Sequence, residues 1–196
     1  MYRYFAIYKP FGMLSQFTVE GGNTSLASID FKFPQDVYPV GRLDSDSEGL
    51  LLLTNDKKVN HRLLEPTYKH KRKYLVQVEG EISAEATKVL EAGMELNDKG
   101  KTYRTLPAKA KVIPEPALPE RTPPVRFRKN VPTSWVEISI SEGKNRQVRK
   151  MTAAAGFPTL RLIRIEIEDL RLSKQENGWV EELKKLDFYS RLKINQ

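Results

Sequence analysis

Residues 40–56 read VGRLDSDSEGLLLLTND. An arginine and three acids crowd onto a glycine-bounded loop that runs directly into four leucines and a polar stop. Four consecutive apolar residues between turn formers predict a short, fully buried strand, too short for a helix of ordinary length and far too short for a membrane span. The acidic loop is thereby anchored in a core. Catalytic groups favour loops held by a rigid scaffold, which fixes their position while leaving them reachable. Asp44, Asp46 and Glu48 are the first candidates.

The spacing Asp44, Asp46, Glu48, Gly49 mimics the opening of a calcium-binding EF-hand loop. That reading fails at the twelfth position, where Asn55 stands in place of a bidentate glutamate and the flanks read as extended chain. A pair of carboxylates for glycoside hydrolysis must face each other roughly 5–10 Å apart, which Asp44 and Asp46 could meet, but no sugar-stacking platform surrounds them. For Asp46 and Glu48 the plain reading is solvation of a turn. Asp44 differs, because it follows Arg42 and Leu43 directly.

The 196 residues suffice for one good core or two small lobes, and no apolar run approaches the roughly 18 residues of a membrane helix. MYRYFAIYKP lacks a signal-peptide pattern, so a cytoplasmic protein without a membrane partner is expected. The absence of cysteine removes disulfides, thiol nucleophiles and Cys-based zinc sites, and two histidines, His61 and His70, cannot build a histidine-rich metal site. Chemistry must rest on carboxylates, hydroxyls and cations. The net charge of +8 points to a polyanionic partner. The charge is clustered: Lys69, Lys71, Arg72 and Lys73; Arg121, Arg126, Arg128 and Lys129; Lys144, Arg146, Arg149 and Lys150.

Along the chain, Tyr4 to Tyr8 predicts a strand entering the turn Lys9-Pro10-Phe11-Gly12. Ser25 caps a helical turn, and Asp56 caps a helix over 57–64 with Val59, Leu63 and Leu64 inward. Residues 73–79, KYLVQVE, alternate so that Tyr74, Val76 and Val78 share one strand face. A capped helix over 83–92 follows, then one or two hairpin strands within 94–113 around Asn97-Asp98-Lys99-Gly100. Residues 114–132 hold six prolines with Arg121, Arg126, Arg128 and Lys129 and no periodicity, which suits a spacer or, given its charge, an RNA-contacting arm. A strand over 134–140 leads to a helix from near Asn145 with Val148, Met151, Thr152 and Ala155 on one stripe and Gly156 as its stop. Residues 159–168 read as a central strand buried on both faces, and 179–192 as an edge strand plus helix.

Three stretches, YKPFGMLSQ at 8–16, GRLDSDSEGLLLLTND at 41–56 with KYLV at 73–76, and EGKNRQVRKMTAAAGFPTLRLIR at 142–164, together resemble the RsuA/RluA superfamily of pseudouridine synthases. The resemblance implies an α+β pseudouridine synthase fold: a mixed, largely antiparallel sheet flanked by helices with a central cleft. It implies one catalytic domain over 1–196, in two sub-lobes. Only eight residues precede the KPxG motif, so the S4 RNA-binding domain of many relatives is expected to be absent. That absence, with PTSW at 132–135, resembles the RluE-type branch, whose substrate is 23S ribosomal RNA or the assembling large subunit. A monomer without cofactor is expected.

By the same resemblance Asp44 is the catalytic carboxylate, attacking the nucleoside or taking a proton from its sugar. Tyr74, which on residues alone reads equally as sheet packing, stacks on the uracil. Arg149 pairs with Asp44 and holds it ionised. Arg42 fills the space vacated by the flipped nucleotide, and Lys71, Lys73, Arg126, Arg128, Lys144, Arg146 and Lys150 contact RNA. Glu168 departs from the family pattern, where a glycine is common. An inert ribosome-assembly factor, a synthase acting on transfer RNA and a nucleoside hydrolase are the rival readings.

Overall fold

A computed structural model describes residues 1–126 and 128–194. In chain order its elements are β1 (Tyr4–Lys9), β2 (Tyr38–Pro39), β3 (Glu48–Thr54), α1 (Lys57–Leu64), β4 (Arg72–Glu79), α2 (Ala84–Glu91), β5 (Glu95–Asp98) and β6 (Lys101–Arg104). There follow β7 (Lys109–Ile113), β8 (Thr133–Ile140), α3 (Gln147–Ala154), β9 (Thr159–Ile167), β10 (Leu170–Arg171), β11 (Val180–Glu182) and α4 (Lys185–Arg191). The chain forms two compact units, one of Met1–His70 with the segment from Ile163 onward, the other of Lys71–Leu162.

The first unit is built on β3. Its seven residues are all buried, as are the six of β1. The two strands pair antiparallel, Phe5 opposite Leu53 and Ile7 opposite Leu51, while Glu48 and Gly49 pair in parallel with Ile163 and Arg164 of β9. β11 extends the sheet antiparallel to β1, and the short β2 and β10 pair antiparallel with β3 and β9. Phe5, Ile7, Leu51 and Leu53 face a core with Met13, Leu26, Val37 and Leu43. On the opposite face Tyr4 packs against α4, its ring 4.8 Å from that of Phe188. The leucine run is therefore apolar on both faces because both are covered. Burying one such side chain contributes about 1.5–3 kcal/mol.

Asp56 caps α1 through the Lys58 amide at 3.1 Å. Val59 and Leu63, four residues apart, are buried, whereas Leu64 is 44% exposed, contrary to the inward placement expected for it. Leu64 lies one residue, about 100°, beyond that buried pair, so the turn of the helix carries it out of the core. The serine-capped turn is present as a 3-10 turn at Leu26–Ser28.

In the second unit β4, β8 and β7 pair antiparallel, with Val76 opposite Val136 and Val136 opposite Val112. Tyr74, Val76, Val78, Val136, Ile138 and Ile140 form one apolar face, covered by Leu90 of α2 and by Val148 and Met151 of α3. Between Met94 and Ile113 there are three strands where one or two were expected. β5 and β6 form the hairpin, while β7 leaves it to pair with β8. The described residues of 114–132 contain no helix or strand.

Candidate active site and RNA-contacting residues

The loop carrying Asp44 is held from both sides by the segment after β1. The Ser15 hydroxyl accepts from the Leu43 amide at 3.0 Å and donates to the Leu43 carbonyl at 2.8 Å, pinning the residue just before Asp44. The Gly12 amide donates to the Ser45 carbonyl at 2.7 Å, and the Ser47 amide closes a turn onto the Asp44 carbonyl at 3.0 Å. Asp44 is half-buried and Arg42 exposed.

Beneath the loop lies Lys9, with no exposed surface. Its ammonium donates to the carbonyls of Met13 at 2.8 Å, Pro10 at 2.9 Å and Ser45 at 3.5 Å. Burial pulls its pKa down to about 8, against the pull of Glu48, Asp46 and Asp44 in the other direction. Glu48 corrects the reading of it as a solvated turn residue: it is 1% exposed, opens β3, and accepts from the Tyr8 hydroxyl at 3.0 Å. Asp46 is half-buried. Sequence reasoning missed the part played by Lys9, although a lysine ending an otherwise apolar strand was a visible signal.

Gly49 adopts φ +102, and a Cβ there would overlap the Arg164 carbonyl oxygen and lie 2.9 Å from the Arg164 amide nitrogen. Only glycine allows β9 to approach β3 this closely. Glu168 adopts φ +50 in the turn between β9 and β10. The position is left-handed. The side chain is anchored by His70 Nδ1 at 3.2 Å and Lys193 Nζ at 3.3 Å.

Tyr74 and Arg149 lie in the second unit, Asp44 and Arg42 in the first. Tyr74 is 8% exposed and belongs to the same apolar cluster as Val148 and Met151, which flank Arg149 on α3. Arg149 is half-buried, and its guanidinium donates to the Thr159 carbonyl at 3.5 Å. α3 begins at Gln147, two residues later than expected, after Arg146 at φ 51. Its stripe of Val148, Met151 and Thr152 is buried, and Gly156 follows at φ +90.

The remaining cations differ in pairing and exposure. Lys150 pairs with Asp98 at 2.7 Å, Arg128 with Glu79 at 2.9 Å and Lys73 with Glu137 at 3.8 Å. Lys144 lies 3.7 Å from Glu142 and 3.8 Å over the Tyr103 ring. Lys71, Arg126 and Arg146 are exposed. Among the described residues, no group of three or more His, Asp or Glu is placed to hold a metal ion.

Residues 3–154 match the family described as RNA pseudouridylate synthase. The ribosomal large subunit pseudouridine synthase E of Xanthomonas axonopodis pv. citri is 50% identical over 165 residues, which cover 84% of this chain and 85% of that protein. The protein of the same name from Vibrio parahaemolyticus is 49% identical over 174 residues, covering 88% of this chain and 71% of its own. A crystal structure of a pseudouridylate synthase superposes with a TM-score of 0.77 at 26% identity, over 98% of this chain and 74% of that one. A family match of that length, with relatives of that identity, makes this chain a member of the RNA pseudouridylate synthase family and an enzyme that isomerises uridine in RNA.

Proposed function

We propose that this enzyme converts a uridine of large-subunit ribosomal RNA, 23S in bacteria, into pseudouridine. The observation that carries this is 46–50% identity to four proteins each named ribosomal large subunit pseudouridine synthase E. The reaction breaks the bond from uracil N1 to the ribose, turns the base, and joins C5 to the same ribose carbon. C5 loses a proton and N1 gains one, so no redox partner is required.

Asp44 supplies the carboxylate that acts on the nucleoside. Its support is mechanical: hydrogen bonds to Leu43 and Ser45 fix the loop on both sides of it, and a reacting group held in place spares part of the entropic cost of alignment. Arg149 serves as its charge partner and Tyr74 as the aromatic face for the uracil. Arg42, exposed two residues before Asp44, takes the place of the flipped nucleotide. Lys71, Arg126 and Arg146 contact phosphates, joined by Lys73, Arg128, Lys144 and Lys150. The enzyme works as a monomer in the cytoplasm, on free RNA or on an assembling subunit.

Pseudouridine mapping of ribosomal RNA from cells with and without the gene tests the reading, with Asp44→Ala as the complementing control. A single large-subunit site lost, and restored by the wild type alone, is the expected result. Loss of a site in transfer RNA, or of none, overturns it.

A further inference from the structure

The second unit contains a cavity of about 450 Å³ between the proline-rich segment and the β4–β8 face opposite its core. It falls within the range of small-ligand sites, roughly 300–1,000 Å³. Gln77 and Trp135 are cross-strand partners, so their side chains stand together on that face, away from Val76 and Val136. Leu118, Pro119 and Pro124 supply flat apolar walls.

The cavity is built, not incidental. Arg161, 6% exposed, donates to the Pro119 carbonyl at 3.1 Å, and Arg121 donates to the carbonyls of Pro123 at 2.8 Å and Pro124 at 2.9 Å. These bonds hold the segment in its curve. Trp135 is 5% exposed, yet its indole N–H is buried without a hydrogen-bond partner among the described residues. Leaving such a donor unsatisfied costs about 1–3 kcal/mol. Glu115 and Glu120 add acceptors to the lining.

A planar heterocycle with amino donors suits the apolar walls and the carboxylates. Carboxylates accept from the exocyclic amino groups of bases, and single-stranded RNA is read by splaying its bases into such sites. Uracil has no amino group. Exposed Arg126 and Lys129, on the same segment, carry the charge that a phosphate backbone needs. We infer that this cavity binds one unpaired, amino-bearing nucleotide of the RNA substrate, in addition to the target uridine, as a recognition subsite. The inference rests on the reading of the chain as an RNA-modifying enzyme.

The test uses the full chain with Trp179→Phe, which leaves Trp135 as the sole tryptophan of the original two. Its fluorescence is followed while AMP, CMP, GMP or UMP is added, then while large-subunit ribosomal RNA is added. Quenching by the amino-bearing nucleotides, weaker quenching by UMP, and displacement of AMP by the RNA are expected. Val125→Phe, which fills the cavity from its wall, should abolish the quenching and raise KM for RNA about three- to ten-fold, the effect of one or two lost hydrogen bonds, while sparing kcat. Trp135→Phe, checked by thermal melting, should raise KM in the same way should Val125→Phe prove unstable.

Equal quenching by UMP, no quenching by any nucleotide, or a folded Val125→Phe enzyme with unaltered KM overturns the subsite. Quenching by AMP that ribosomal RNA displaces, in an enzyme that turns over no ribosomal uridine, upholds the subsite and removes the proposed reaction instead.

Discussion

The Lys9 ammonium donates to the Met13 carbonyl at 2.8 Å from a side chain with no exposed surface. Its pKa is drawn down to about 8 by burial, whereas an unfolded lysine titrates near its ordinary value of 10.5. Between those values the unfolded chain holds a proton that the folded chain has released, so stability rises with pH across that window. Above about pH 10 the tyrosines oppose the rise, because they titrate with the opposite sign. Burial and Asp56 raise the pKa of Tyr4, and burial first and Asp56 second push that of Tyr189 up to about 12, so the folded chain keeps protons that the unfolded chain loses. For these two groups the sign is opposite to that of Lys9, and their contribution falls as pH climbs past the ordinary tyrosine value, about 10. Urea unfolding at about pH 8 and about pH 10 should show the rise in the wild type and a flatter profile in Lys9→Met. That variant should also lose about 1–3 kcal/mol, because it leaves buried carbonyls without their donor.

Asp44→Asn should lower turnover roughly 1,000-fold or more while leaving the melting temperature within a few degrees, as expected for a reacting group on a loop that other residues hold. Single-turnover assay on ribosomal RNA and a thermal melt read the two quantities. Turnover near that of the wild type would exclude Asp44 from the chemistry.

Asp56 accepts from the hydroxyls of Tyr4 at 2.9 Å and Tyr189 at 2.5 Å while it caps α1, tying β1, α1 and α4 together. Asp56→Ala strands two buried hydroxyls and removes a cap, for a loss of about 2–4 kcal/mol. Tyr189→Phe should lose about 1 kcal/mol, and much less in an Asp56→Ala background. Chemical denaturation of the double-mutant cycle checks this.

Gly49→Ala drives a Cβ into the Arg164 backbone oxygen at φ +102. The parallel pairing of β3 with β9 must open, and a loss of about 3 kcal/mol or more is expected in chemical denaturation. Activity should fall with stability, since the same strand carries the Asp44 loop.

Salt titration of RNA binding separates the cations. Neutralising exposed Arg126 should weaken binding and lower the salt slope by roughly 0.7 for each phosphate no longer neutralised. Neutralising Lys150 or Arg128, which already pair with Asp98 and Glu79, should change the slope less, because each must first give up its carboxylate.

Much of the fold was legible because the signals are local. A leucine run bounded by turn residues, the alternation of Tyr74, Val76 and Val78, and the caps Asp56 and Ser83 each depend on a few neighbouring residues. The family came into view through the resemblance of GRLD and NRQVR to its motifs. Long-range relations were out of reach. Glu48 reads as a turn solvent group until Tyr8, 40 residues away, is seen to donate to it, and β7 reads as part of a hairpin until β8 is found beside it. Leu64 faces out because its helix turns one residue too far, and Trp135 lines a cavity because a segment with no periodicity folds back over its strand. The sequence by itself determined which residues form strands and helices and where the motif residues stand along the chain, since backbone propensity and side-chain periodicity act over short distances. Only the tertiary structure decided that Lys9 is buried beneath the Asp44 loop and that Gly49 must be glycine, because both follow from the approach of strands distant in sequence.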